Sequence, residues 1–193
     1  MTLEVPYEEF DRLKAKDGLA GSASPISDIG MIFLNDIEVM TDPNVRKAAA
    51  HAIDKQLIID RLLSGYGVAI DTLQTPDYPA YDPSIKVAYD PDLAKELLAA
   101  SGYEIAKLFG LRAADQLAPA AFYNWGNSVG DPTTSTGFAM FGPSPHSVWD
   151  GEDTFNAILP LWGEADEAKR IEGWKEVDRR IAENAEVIPL LQY

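Results

Sequence analysis

The chain of 193 residues has no cysteine and only two histidines, His51 and His146. The first absence removes disulfides, thiolate nucleophiles and Cys-ligated zinc. It leaves the compartment open, because a cysteine-free fold works in cytosol and periplasm alike. No apolar run reaches the roughly 18 residues that a membrane-spanning helix needs. Positive charge is scarce as well: 16 Lys and Arg face 31 Asp and Glu, a formal net charge of −15. A field of that sign repels nucleic acid and anionic lipid, so neither is an expected partner, and no membrane insertion is expected. The acidity is spread along the chain, which reads as a solvated surface rather than a recruiting tail. Met1 to Pro6 shows neither the basic nor the apolar region of a signal peptide. Phosphate-binding loops, dinucleotide fingerprints and the G-x-S-x-G nucleophile elbow are all missing.

What is present is globular. Hydrophobic residues make up 46% and charged residues 24%, enough for a core and for solubility. The punctuation alternates strands with helices. Leu3 to Val5 reads as a short strand stopped by Pro6. Tyr7 to Lys16 carries Tyr7, Phe10 and Leu13 on one helical face, and Gly18 closes it. Met31 to Leu34 is an apolar run of strand length. Asp42 caps a helix with Pro43 in its first position, and Val45, Ala48, Ala49 and Ala52 share a face. Asp54 restarts a helix with Leu57, Ile58, Arg61 and Leu62 at helical spacing, and Gly65 stops it. Between Asp71 and Tyr89, with Pro76, Pro79 and Pro83, there is no helical period; such long loops are often functional. Asp90 caps Pro91 to Ser101, whose apolar face is Leu93, Leu97 and Leu98. Glu104 to Ala114 is weakly helical. Leu117 to Trp125 reads as a buried strand, and residues 126–153 as loop. Glu164 to Glu186 is the longest helix, with Ala168, Ile171, Trp174, Val177, Ile181 and Ala185 inward, and Val187 to Leu191 is a final strand. This alternation predicts an α/β fold with a central mixed sheet and helices on its faces.

Two blocks carry a more specific signal. Asn44 to Gly67 reads N-V-R-K-A-A-A-H-A-I-D-K-Q-L-I-I-D-R-L-L-S-G-Y-G. Tyr81 to Ser84, followed by Tyr89 to Tyr103, reads Y-D-P-S and Y-D-P-D-L-A-K-E-L-L-A-A-S-G-Y. Both resemble signatures of the large periplasmic solute-binding proteins of peptide- and nickel-type ABC importers, solute-binding protein family 5. Trp125 to Pro132 is similar to that family's strand-end W followed by D-P, and Ala168 to Leu190 to its long amphipathic helix and I-P-L. The resemblance implies one lobe of a clamshell: a periplasmic-binding-protein-like lobe spanning residues 1–193. Strands near 3–5 and 187–191 would derive from the hinge. The connection at 104–116 is short where the family carries a longer insertion, so the chain resembles a natural truncated relative or an excised, shortened lobe. The parent protein would be periplasmic, and its partners would be a second lobe and an ABC permease.

Candidate site residues follow the strand ending at Trp125. In open α/β sheets ligands sit outside the carboxyl ends of strands, and aromatic faces with a few polar groups suit a small polar solute. Tyr123, Trp125, Asn127, Ser128 and Asp131 are the expected ligand-binding residues. The alternative is that Tyr123 and Trp125 are core and Asp131 only caps a turn before Pro132. Family members that bind peptides typically hold an Asp three residues after the Trp, where it pairs with the ligand's ammonium. Here that residue is Ser128, and a hydroxyl is a weak partner for a desolvated cation. The resemblance therefore opens the solute class to a peptide, a sugar or a modified amino acid.

No catalytic constellation and no cofactor site are expected. His51 reads as packing or surface, and His146 has no nucleophile elbow beside it. Asp150, Glu152 and Asp153 lack the EF-hand spacing. The expected function is solute binding for import, without catalysis. The alternative is an autonomously folding domain with little or no ligand binding of its own. Association into a homo-oligomer through surfaces that a second lobe would cover is a further expectation.

Overall fold

The computed structural model describes residues 5–26, 28–34, 38–102, 120–126, 137, 141 and 152–193. The expected strand at 3–5, the helix at 104–114 and most of the 126–153 loop lie outside these residues. Helix α1 spans Tyr7–Lys14, followed by strand β1, Asp28–Leu34, and a 3-10 turn, Glu38–Thr41. Next come α2, Pro43–His51, α3, Lys55–Leu62, and the two-residue β2, Val68–Ala69. Helix α4, Pro91–Ala100, strand β3, Ala120–Gly126, helix α5, Glu152–Trp162, helix α6, Glu167–Asn184, and strand β4, Val187–Gln192, complete the order.

Caps set the helix starts where the sequence indicates. The Asp42, Asp54 and Asp90 carboxylates accept from Asn44, Leu57 and Leu93 backbone N–H groups, and Asp166 accepts from those of Ala168 and Lys169. Each closes donors that a helix start leaves unpaired. Gly65, at φ +83°, and Gly102, at φ +67°, take the left-handed backbone that ends α3 and α4. Helix α5 falls where no element was expected. Its Pro160, inside the helix and with no N–H to donate to the carbonyl four residues back, masks the pattern.

The sheet order is β2-β4-β1-β3, and all three pairings among the described strands are antiparallel. The α/β class with helices against a sheet is what forms, but the described strands do not mix directions as expected. The reason is local: β4 returns from α6 alongside β1 in the opposite sense, with Phe33 opposite Val187 and Ile29 opposite Gln192. Pro189 has no N–H to donate, and the β1–β4 register shifts beside it, between Gly30 and Met31, as a proline in an inner strand requires.

The pleat of β1 feeds two cores, because alternate side chains leave a strand on opposite faces. Ile29, Met31 and Phe33 join Ile158 of α5 and Trp174, Val177 and Ile181 of α6. Leu34, with Ile32 at its margin, joins Val45 and Ala50 of α2, Ile59 of α3 and Ile188, Leu190 and Leu191 of β4. Helices therefore cover both faces.

Helix rotations depart from the apolar pattern in places. In α3 the buried stripe is Lys55 and Ile59, continued by Leu63, while Leu57 is 50% and Leu62 70% exposed. The ion pair of Lys55 described below turns α3 by roughly one position. In α2, Arg46 is buried beside Val45, Ala48 and Ala50; its guanidinium donates to the carbonyls of Met40 (2.6 Å), Thr41 (3.1 Å) and Asn184 (2.9 Å). Ala52 and Ala168, both expected inward, are exposed, and in α4 only Ala94 is fully buried.

Candidate solute-binding site

The sheet end that holds Trp125 is built from several segments. Register places Trp125 opposite Ile29 and Tyr123 opposite Met31, both β1 residues of the first core. Gly126 stands opposite Asp28, whose carboxylate fills the space a side chain at 126 would need. At the same end Gln192 Nε2 donates to Ile26 O (2.9 Å) and to Asp77 Oδ2 (2.8 Å). Tyr193 N–H donates to Asp28 O (3.0 Å), and Ile26 N–H to Tyr193 O (2.6 Å). The β3 terminus, the approach to β1, the end of β4 and the 71–89 loop thus meet at one edge. The backbone brings Trp125 there and leaves Tyr123 at mid-strand, opposite Met31; Asn127, Ser128 and Asp131 lie outside the described residues, as does His146.

The 71–89 loop is irregular, as expected, but firmly held. Thr72, Leu73, Gln74 and Thr75 are all buried. Lys55 Nζ reaches under the loop to Ile70 O (2.9 Å) and Asp71 Oδ1 (2.6 Å). Burial lowers the Lys55 pKa, and the Asp71 carboxylate opposes that shift. Asp82 accepts from Ser84 N–H (2.9 Å), Ser84 Oγ (2.6 Å) and Arg179 Nη2 (3.0 Å). The Ser84 hydroxyl, then its backbone N–H, hold the Asp82 carboxyl below its usual range, with Arg179 adding to the effect.

Buried polar groups also stand beneath this loop, a feature the sequence reading missed. Asp178 of α6 is 1% exposed, and neither carboxylate oxygen has a well-formed hydrogen bond among the described residues. The Gln74 amide and Thr75 hydroxyl are equally buried and unpartnered among them. Desolvation pushes Asp178 up to about 7, against the lowering influence of the nearby Leu73 and Gln74 backbone N–H groups. Its spacing of four from Trp174 placed it on the inward face; a charged residue on that stripe was the available signal. Glu186 is likewise raised by burial, although Thr154 Oγ1 donates to both its oxygens, at 2.9 and 2.7 Å.

Among the described residues no group of three His, Asp or Glu could hold a metal. Asp153 instead faces Arg180 at 3.3 Å, and Asp150 lies outside the described residues. His51 Nδ1 donates to Ala88 O (2.8 Å), tying the ring to the 71–89 loop. No described helix is long and apolar enough to cross a membrane.

A two-faced α/β lobe whose strand ends converge on one edge is the architecture of a periplasmic-binding-protein lobe. HbpA2 from Haemophilus parasuis has the same fold: the TM-score is 0.80 at 18% identity, over 96% of this chain and 46% of that one. The sequence pattern of the middle region of the bacterial extracellular solute-binding proteins, family 5, matches residues 1–137, and the chain belongs to that family. It is a family of binding proteins rather than enzymes. The glutathione-binding protein GsiB of Pectobacterium atrosepticum is 35% identical over 103 residues, 51% of this chain. The nickel-binding periplasmic protein of Escherichia coli is 30% identical over 103 residues, 52% of this chain. The matched region is 20% of each of these two relatives' length.

Proposed function

We propose that the chain is the solute-binding lobe of an ABC-importer binding protein, and that the β3 edge is its share of the solute site. In this reading Tyr123 and Trp125 supply stacking surface, and Asn127, Ser128 and Asp131 supply polar contacts. The observation that carries it is family membership over residues 1–137, which takes in every one of these positions. The solute is a small polar molecule: a peptide, a sugar or a modified amino acid. Relatives of similar distance are named for glutathione and for nickel, so likeness alone does not select among solutes. Ser128 argues against a free ammonium as the main anchor. A second lobe would close over the solute by hinge motion, and the closed form would dock on a permease in the periplasm. Association between copies through the face left for the second lobe belongs to the same reading.

One lobe offers one wall of a cleft and buries less of a ligand than a closed pocket does. We expect dissociation constants on the order of millimolar for this chain alone. Tryptophan fluorescence with glutathione, a dipeptide, a monosaccharide and nickel ion as probes tests this. Saturable binding of one probe, weakened roughly tenfold by Trp125→Ala, supports the site. Saturable binding untouched by Trp125→Ala and Tyr123→Ala removes the site from this edge. Micromolar binding refutes the one-wall argument. No saturable response favours the alternative, a lobe that folds by itself and binds little.

A further inference from the structure

A second concavity lies at the other end of the sheet. It has a volume of about 440 Å³ and lies among the end of α2, the 84–87 segment and the end of α6. Ala185 of its wall leads into Val187, which pairs with Phe33, whereas Trp125 pairs with Ile29. Four strand residues separate the two ends, about 13 Å along β1.

The lining is unusual for so acidic a chain. Lys47 from α2, Lys86 from the loop and Arg179 from α6 converge there with His51, and Glu183 is the one carboxylate among them. Ile85, Ala50 and Ala185, all buried, give it an apolar floor. Two helices end at this cleft, and cations often gather at such ends to meet unpaired carbonyls. Here several of those carbonyls are already met. His51 O accepts from Asp90 N–H (2.9 Å), and Asn184 O accepts from Arg46 (2.9 Å). Ala182 O and Ile181 O accept from Ala185 (3.3 Å) and Glu186 (3.1 Å) N–H groups. Lys86 pairs only loosely, at 3.8 Å, with Asp71, and its side chain is 62% exposed. Arg179 is fixed in place by Asp82 (3.0 Å) and Glu176 (2.6 Å).

We propose that this cleft binds a small organic carboxylate, its anionic head between Lys47 and Lys86 and its short apolar body on Ile85 and the alanines. The site is independent of the solute edge. Its occupant is distinguished from a simple ion by the need for both head and body.

The test is a titration of the isotope-labelled chain with succinate and with butyrate, read by amide and His51 ring shifts in NMR at constant ionic strength, with chloride as the control. Saturable shifts confined to Lys47–His51, Ser84–Val87 and Arg179–Ala185 are expected. Binding should weaken roughly tenfold or more in Lys47→Gln/Lys86→Gln, whose thermal midpoint stays that of the parent. Shifts that never saturate, that chloride reproduces, or that persist in the double variant overturn the proposal. If the double variant loses stability, Lys86→Gln alone, at a largely exposed position, decides the matter by the same criteria.

Discussion

Asp178 sets a pH dependence that can be worked out in advance. Its carboxylate is held about three units above the ordinary 3.8, at about 7. Below pH 3.8 the group is protonated in folded and unfolded chains alike and contributes no difference. Between 3.8 and 7 the unfolded chain gives up the proton while the folded chain keeps it. Stability therefore falls as pH rises through that window, and the loss is complete above the folded pKa. One pKa unit corresponds to about 1.4 kcal/mol, so the full loss is about 4 kcal/mol. No described cation offsets it: on the same helix Lys175 pairs with Glu172, Arg179 with Asp82 and Glu176, and Arg180 with Asp153.

The perturbation is Asp178→Asn, which keeps the shape and removes the titration. Urea unfolding of parent and variant at pH 3.5 and pH 8 gives two stability differences. Subtracting one from the other cancels the amide's own burial cost and the titration of Glu186, which both chains share. The variant should gain about 4 kcal/mol relative to the parent between the two pH values. A difference that stays within about 0.5 kcal/mol of zero refutes the reasoning. It would mean that the native carboxylate meets water or a donor that restores its ordinary pKa.

Lys55→Met should destabilise the fold by about 3 kcal/mol, because it leaves Asp71 and the Ile70 carbonyl without their buried cation. Chemical denaturation measures this, and Lys55→Met/Asp71→Leu should recover much of the loss. Gly65→Ala meets no atom within 4 Å, yet its φ of +83° is unfavourable for a side chain. The thermal midpoint should drop by an amount equivalent to about 1 kcal/mol from backbone strain alone; an unchanged midpoint would show that the turn relaxes.

Much of the fold could be read from residue order because its signals are local. Each cap at Asp42, Asp54 and Asp90 is decided within three residues, and so are the stops at Gly65 and Gly102. Helix α6 was legible because Trp174, Val177 and Ile181 keep the helical period. What was hidden depends on distant partners. The rotation of α3 is fixed by Lys55 meeting Asp71, sixteen residues on. Arg46 looks like a surface residue until Asn184, 138 positions away, is brought beside it. Asp178 reads as polar spacing, and only the loop folded over it makes it buried. For the site, residue order marked the strand ending at Trp125, but the edge formed by Asp28, Asp77 and Gln192 is assembled from three separate segments.

The place of β4 has a consequence for how the lobe is made. The last described strand lies in the middle of the sheet, between β2 and β1, with all six residues buried. Among the described strands, β2 has no other partner. While the chain emerges from the ribosome, α2, α3 and α4 can form, but the core that α2 and α3 share with β4 cannot close before residues 187–192 are synthesised. That side of the sheet must wait, exposed, for a segment of six residues. A translation stall or premature stop just before Val187 would release a chain with most of its helices and one core unfinished, a natural substrate for chaperones and proteases.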